Sequence, residues 1–407
     1  SLLVGVAAAA SLYFYLTGII EELPQIDKIS DYSPNAVSYI LADDGSQIAE
    51  IYDERRYPVP FKEIPLTVRQ AFLAAEDANF YKHPGIDFVS IVRALGKNLQ
   101  SGRASQGAST ITQQVVKSLL LTREKTIERK VKEAILSYRL ESSLSKNEIF
   151  EIYLNQVLLG LNAYGVKAAA KAHFHKDLRD LSIAESAYLA GMPQQPSQLA
   201  KPENRDKAVA RQNYVINQML RNGFITEKEA ETARKEELHI YPREEITVTK
   251  APYFAGHVLK QLDSIFNEIG IPNGARAPGG FRIHTTASIY ANDLAQKSVK
   301  RALNELDKRR GWRGPIVDPA KLTSVQEKIS TLRPGKMYLA TVETIKGNIV
   351  EVTAGGNKGT LDLSASPWAK VFMVETFKMN ERDRINYVNP ATKIKAGDVV
   401  EVSLNQT

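Results

Sequence analysis

Residues 76–85 read EDANFYKHPG, a polar stretch with two adjacent carboxylates, Glu76 and Asp77, and a histidine, His83. It continues the segment TVRQAFLAAE, residues 67–76, whose apolar spacing predicts a helix. Glu76 would then end that helix, and a carboxylate facing a cleft at such a position can have a raised pKa and act as a general base. Taken alone, the stretch favours a surface acidic pair with a capping histidine.

Two further polar segments follow along the chain. GASTITQQVVK, residues 107–117, offers hydroxyls, amides and a cation, and KTIERKVKE, residues 125–133, places Arg129 and Glu133 four residues apart on one helix face. Without further context, the first segment is a capped helix start and the second an ordinary salt bridge. Two carboxylates separated by a Lys/Arg-rich stretch also suit sugar transfer from a phosphorylated donor. One carboxylate can take a proton from the attacking hydroxyl, and the cations can hold the departing phosphate.

The three segments, in this order, resemble the glycosyltransferase family 51 domain of class A penicillin-binding proteins of the Gram-negative type. That family polymerises peptidoglycan strands from lipid II. Its patterns E-D-x-x-F-x-x-H-x-G, R-K-x-x-E and Y-L-N match here, at Glu76, Asp77, Phe80, His83 and Gly85, at Arg129, Lys130 and Glu133, and at Tyr153, Leu154 and Asn155. RQNYVINQM, residues 211–219, resembles the closing motif of the domain, for which a structural role is expected.

The resemblance implies a role for each matching residue. Glu76 would remove the proton of the acceptor sugar 4-hydroxyl, which attacks the anomeric carbon of the donor and displaces undecaprenyl pyrophosphate with inversion, giving a β-1,4 bond. Glu133 would be the second essential carboxylate, either positioning cations or helping to bind a divalent ion such as Mg²⁺; no protein metal site is assigned. The expected substrate-binding residues are Asp77, Phe80, His83, Ser109, Thr110, Thr112, Gln113, Gln114, Lys117, Lys125, Arg129, Lys130 and Asn155.

Residues 2–20, LLVGVAAAASLYFYLTGII, carry no charge. Nineteen residues at ~1.5 Å each reach roughly 28 Å, one hydrocarbon thickness. They predict a transmembrane helix that anchors the protein in the inner membrane with its catalytic domain in the periplasm; a signal peptide and a buried core helix are the competing interpretations. Residues 87–102 match the family's membrane-dipping jaw, with a buried amphipathic helix as the alternative.

The charge of the chain is +7 over 407 residues and is uneven. Residues 93–146 contain eleven Lys/Arg against four Asp/Glu. This excess fits a solvated basic face or an anionic partner such as a pyrophosphate or lipid headgroups. Nucleic acid ranks last, because no zinc-finger or RNA-binding signature accompanies it. The absence of cysteine excludes disulfides and thiolate metal sites.

The predicted fold class is α+β and multidomain. Residues 1–21 form the transmembrane helix, 22–240 a mainly α, lysozyme-like glycosyltransferase domain, 241–319 a linker and the start of a transpeptidase region, and 320–407 a β-rich, OB-like inserted domain. Helix starts with capping boxes are predicted at Ser145, Ser182 and Thr226, and a hairpin is predicted over residues 37–52.

The predicted function is polymerisation of lipid II in cell wall synthesis. The transpeptidase core is missing from the sequence, so no penicillin binding is expected of this chain. Expected partners are lipid II, the growing glycan strand and the bilayer, with other wall-synthesis proteins or an outer-membrane activator as further candidates. The alternatives are a non-catalytic scaffold of the wall machinery and a lytic, glycan-cleaving enzyme of the same fold.

Overall fold

The computed structural model of the chain divides into two compact units, residues 1–289 and 290–407. It describes residues 17–21, 23–24, 34–92, 109–121, 126–242, 250–271, 274, 280–310, 312, 314–316, 329, 331–334, 336–365 and 394–403. The architecture is mixed α+β, helix-rich in the first unit and with a small sheet in the second, as the sequence predicts. The domain bounds given above stay a prediction.

Most helices of the first unit surround one large apolar core, and the last packs in a second, smaller one. Most of them belong to the predicted glycosyltransferase domain, and the last follows it. Their bounds are α1 Leu66–Glu76, α2 Ile111–Leu120, α3 Ile127–Ser143, α4 Lys146–Gln156, α5 Val166–Phe174, α6 Ile183–Gly191, α7 Pro196–Leu199, α8 Arg205–Arg221, α9 Glu227–Lys235 and α10 Pro252–Glu268.

Helix α6 lies in the middle of this body and packs against α1 and α8. Every residue from Ala184 to Gly191 is buried. The small residues of AESAYLAG allow this close approach, and a Cβ added at Gly191 would lie 2.9 Å from Cγ of Arg211 on α8. The sequence therefore brings α8 against α1 and α6 through small side chains, which places the partly buried Arg211 against Gly191 of α6.

The three predicted capping boxes are confirmed. Ser145, Ser182 and Thr226 each accept a hydrogen bond from the backbone of the glutamate three residues later. In each case the glutamate side chain returns to the backbone N–H of the capping residue, so two orphan donors are satisfied at each helix start.

The predicted hairpin is also confirmed, and it gains a third strand. Strand β1 (Ser38–Leu41) pairs antiparallel with β2 (Gln47–Ile51) and parallel with β5 (Arg282–His284). The sheet packs on α10 through a second apolar cluster. The region predicted as a linker and the start of a transpeptidase region, residues 241–319, thus contributes β5 to the sheet of the first unit. A short parallel pair, β3 (Arg55–Arg56) and β4 (Ala163–Tyr164), completes the unit.

The second unit contains a helix and an antiparallel sheet. Helix α11 spans Ile289–Arg310, and none of its residues is buried. Strands β6 (Met337–Lys346), β7 (Ile349–Ala354), β8 (Asn357–Asp362) and β9 (Val399–Ser403) lie in the order β8-β7-β6-β9. The sequence of β8, NKGTLD, has no apolar alternation that would predict a strand. Closure into an OB-like barrel stays a prediction.

Several predicted segments fall outside the described residues. Residues 1–16 of the transmembrane prediction lie there, and residues 17–21 are helical. Among the residues that the structure describes, no helix is both long and apolar enough to span a membrane. Residues 93–108, which include most of the predicted jaw, and residues 122–125 with Lys125 also lie outside.

Candidate active site

Glu76 is the last residue of α1, and its side chain is only partly exposed. Burial raises the pKa of this carboxyl above its ordinary value, and the negative charge of Asp77 adds to that effect. A hydrogen bond from Gln114 and the positive charge of Arg211 act in the opposite direction. The net pKa is raised, which suits a group that must accept a proton near neutral pH.

Gln114 reaches Glu76 from the first turn of α2. Its side-chain Nε2 donates a hydrogen bond of 2.8 Å to Oε2 of Glu76. Thr110 and Gln113 form a capping box that fixes the start of α2. The two adjacent glutamines therefore have different roles. Gln113 caps the helix, and Gln114 binds the carboxylate of Glu76.

Asp77 joins three parts of the site with one buried carboxylate. Nε2 of His83 lies 3.1 Å from each of its oxygens, and Oδ2 accepts a hydrogen bond of 3.1 Å from the backbone N–H of Ile111. Ile111 is the first residue of α2, where free N–H groups favour a negative partner. Asp77 thereby ties the end of α1 to the His83 turn and to the start of α2.

The rest of the EDANFYKHPG turn is fixed by contacts with the neighbouring helices. Phe80 is fully buried and packs against Phe150, with ring centroids 5.5 Å apart. Gly85 has φ +88°, and a Cβ there would lie 2.8 Å from the backbone oxygen of Ser137 on α3. The Gly85 carbonyl accepts a hydrogen bond of 2.6 Å from Oγ1 of Thr110. These contacts fix the turn between α1, α2 and α3.

Glu133 is fully buried on α3 and carries two cations. Nε of Arg129 lies 3.2 Å from Oε1 in an ion pair that lacks hydrogen-bond geometry, and Nζ of Lys130 is hydrogen-bonded to Oε2. Lys130 also donates to Oγ of Ser109, 3.3 Å away. The carboxylate thus holds Arg129 and Lys130 beside the segment that leads into α2.

This surrounding does not fit a divalent ion at Glu133. Both carboxylate oxygens already face cations, and the described part of the chain contains no group of three or more His, Asp or Glu side chains that could hold a metal. Of the two roles left open by the sequence, the geometry favours the positioning of cations.

The predicted substrate-binding residues separate into two groups. Gln114 and Arg129 are partly exposed, and Ser109, Lys117 and Lys130 are exposed, so these five are accessible to a ligand. The second group is buried and makes contacts within the protein. Its members are Asp77, Phe80, Thr110, Thr112, Gln113 and Asn155.

Two of the buried residues show what this second group does. Oγ1 of Thr112 donates to Glu141 on α3. Nδ2 of Asn155 donates hydrogen bonds to the backbone oxygens of Val59 and Glu151, and its Oδ1 accepts one from the backbone N–H of Val59. His83, partly buried, is bound to Asp77. These buried side chains stabilise the segments that carry the five accessible residues. Their own contact with substrate stays a prediction.

Two residues near Glu76 were not predicted as site residues. Arg211 of α8 belongs to the closing motif that the sequence analysis assigned a structural role, yet its charge acts on Glu76. Tyr153 of α4 is 3% exposed, and burial, followed by the charges of Glu76 and Asp77, raises its pKa well above the ordinary value. The motif matches at 153–155 and 211–219 are the sequence signal that could have indicated them.

Residues 44–220 match the transglycosylase family model. Together with the relatives described next, this match supports the class A penicillin-binding proteins as the family of the chain, which is the family expected from the motifs.

The relatives cover nearly all of this chain. Identity is 36% to penicillin-binding protein 1A of Rickettsia felis, over 98% of this chain and 49% of that protein. It is 36% to the protein of that name in Neisseria meningitidis, over 94% and 47%, and 34% to that of Escherichia coli, over 92% and 44%. The chain therefore spans about half the length of the curated relatives it matches. The crystal structure of penicillin-binding protein 1A from Haemophilus influenzae aligns with 91% of this chain and 43% of its own, at 22% identity and TM-score 0.48.

Proposed function

We propose that this chain is a peptidoglycan glycosyltransferase that polymerises lipid II into β-1,4 glycan strands with release of undecaprenyl pyrophosphate. The observation that carries the proposal is the pairing of Glu76, a carboxyl of raised pKa at a helix end, with Gln114 on the helix that borders the basic residues. The transglycosylase match over residues 44–220 supports the same chemistry.

In the proposed reaction Glu76 accepts the proton of the acceptor sugar 4-hydroxyl. The oxygen forms a bond to the anomeric carbon of the donor from the side opposite the pyrophosphate, and the bond from that carbon to the pyrophosphate oxygen breaks. The electron pair leaves with the lipid pyrophosphate, and the configuration inverts. A raised pKa serves this step because the ideal base has a pKa near the working pH.

The departing pyrophosphate needs positive charge where negative charge develops. Lys117 is exposed three residues beyond Gln114, so the two share a face of α2. Arg129 and Lys130 are held by Glu133 on α3, which packs against α2. We assign the pyrophosphate to these three cations, with Glu133 as the residue that positions two of them.

The setting of the enzyme follows from the same proposal. Lipid II is a membrane lipid, and residues 2–20 provide an uncharged segment for a single-pass anchor in the inner membrane, with the catalytic domain in the periplasm. We further propose that the transferase domain is lysozyme-like and that residues 320–407 form an OB-like domain suited to docking other wall-synthesis proteins or an outer-membrane activator.

The test is polymerisation of labelled lipid II in detergent by this chain and by Glu76→Gln. Glu63→Gln, an exposed glutamate of the same domain, is the matched control. Polymer from the parent and the control, with none from Glu76→Gln, is the expected result. No polymer from the parent would favour the scaffold, and release of fragments from intact sacculi would favour a lytic enzyme.

A further inference from the structure

Tyr153 carries a buried hydroxyl that has no hydrogen-bond partner among the residues the structure describes. The residue is 3% exposed on α4. Its ring stacks on Phe150, at a centroid distance of 6.4 Å, and meets Phe72 edge-on at 6.2 Å. Phenylalanine would keep both ring contacts and avoid burying an unsatisfied hydroxyl, which destabilises a fold. Packing alone therefore does not account for the hydroxyl.

The ring of Tyr153 lies against α1, the helix that ends at Glu76. Phe72 and Glu76 are four residues apart on α1, so their side chains lie on the same face of that helix. Tyr153 contacts that face through Phe72. The charges of Glu76 and Asp77 both raise the pKa of Tyr153, after the larger effect of burial, so the hydroxyl keeps its proton and remains a donor.

We propose that Tyr153 is a positioning residue for Glu76. Its buried hydroxyl, which is unpartnered in the described part of the structure, would donate a hydrogen bond to the Glu76 carboxylate when that carboxylate is charged and ready to take the acceptor proton. Oε2 of Glu76 already accepts from Gln114, and a carboxylate has room for further donors on both oxygens. Gln114 approaches from α2 and Tyr153 from α4, so the two donors would fix the carboxylate from different helices. The catalytic meaning of this contact rests on the proposed function.

Other charged groups also act on Glu76 or on its neighbour Asp77, and they stay unchanged in the test. Asp77 opposes the charge on Glu76, and Arg211 of α8 favours it. His83 is bound to Asp77 rather than to Glu76. None of these contacts involves the Tyr153 hydroxyl, so its removal leaves them in place and isolates one donor.

The experiment is Tyr153→Phe, with Tyr188→Phe as the matched control. Tyr188 is also 3% exposed, but its ring packs against His173 and Phe174. Loss of a donor to charged Glu76 raises the pKa of Glu76. In lipid II polymerisation, the acid limb of the rate profile of Tyr153→Phe should move up by about one pH unit, which is roughly a tenfold loss of rate below that limb. The Tyr188→Phe profile should not move.

A merely structural role would lower Tm and leave the acid limb in place, and that result would overturn the proposal. The second measurement needs no activity. The effect of Tyr153→Phe on Tm should become less favourable as pH rises through the titration of Glu76, and this pH dependence should vanish in the Glu76→Gln background. Persistence of the dependence in that background overturns the proposal. If the parent makes no polymer, the proposed function fails, while the Tm comparison still decides the role of Tyr153.

Discussion

The side-chain amide of Gln114 donates a 2.8 Å hydrogen bond to Oε2 of Glu76 across 38 residues of sequence. Glu76 ends α1, where the partial negative charge of the helix end and the surrounding protein both disfavour a second negative charge. A hydrogen bond to a charged group is stronger than one between neutral groups. The amide therefore limits how far the pKa of Glu76 can rise and keeps the carboxylate available as a base.

Replacing Gln114 by leucine should raise the pKa of Glu76 further. We expect the acid limb of the polymerisation profile to move up by about one pH unit, since a hydrogen bond to a charged group contributes about 1.5–3 kcal/mol and 1.36 kcal/mol corresponds to one unit. The measurement is the initial rate as a function of pH. Ser118→Ala, four residues further along α2, is the control, and an acid limb that stays at the parental pH in Gln114→Leu would contradict the expectation.

Glu76→Gln should stabilise the protein at neutral pH. Because the pKa of Glu76 is raised in the folded state, the folded protein binds the proton more tightly than the unfolded chain does. Parental stability is therefore lowest above the folded pKa, and it rises as the pH falls from that pKa towards the ordinary value. Glutamine mimics the neutral form.

The measurement for Glu76→Gln is Tm across the acid range. The Tm of the variant should exceed that of the parent at neutral pH, by an amount that corresponds to about 1.4 kcal/mol for each unit of pKa shift, and the gain should disappear on acidification. Glu63→Gln, which is exposed, should show no such gain. A Tm difference that is the same at every pH would mean that the titration of Glu76 is not its cause.

Local signals in the sequence predicted the local structure well. The capping boxes at Ser145, Ser182 and Thr226 depend on residues three apart, and all three form. Spacing cannot reveal contacts between distant segments. The bond from Ile111 to Asp77 crosses 34 residues, and the contact of Phe281 with Ser38 beside β1 and β5 crosses 243.

The site shows the same division between what a motif indicates and what it leaves open. The patterns identify Glu76, Gln114 and Glu133, but a motif residue that binds substrate looks the same in sequence as one that supports the site. Thr112 and Asn155 are buried and hydrogen-bonded within the protein. Their burial follows from tertiary packing, which a motif does not reveal. The contributions of Arg211 and Tyr153 were missed because they act through α8 and α4, far from Glu76 in sequence.

Gly85→Ala should be strongly destabilising. Its φ of +88° disfavours any side chain, and the new Cβ would lie 2.8 Å from the backbone oxygen of Ser137, which cannot move away without displacing α3. We expect a loss of about 2–4 kcal/mol, observable as a lower Tm. Gly223→Ala is the matched control, with φ +70° and nothing within 4 Å, and should lose only about 1–2 kcal/mol. Equal losses in the two variants would show that the contact with Ser137 is not tight.

Glu133→Gln tests whether Glu133 positions cations for catalysis or only stabilises the fold. Glutamine fills the same space but releases Arg129 and Lys130, so stability should fall by about 1–3 kcal/mol and kcat by about a hundredfold, because the pyrophosphate loses fixed positive charge. Glu128→Gln is the control on the same helix, since Glu128 pairs with Lys132 at 2.7 Å but is 47% exposed, and it should change stability by less than about 0.5 kcal/mol. The measurements are urea unfolding and the kinetics of lipid II polymerisation. A destabilised Glu133→Gln with parental kcat would assign Glu133 to the fold alone.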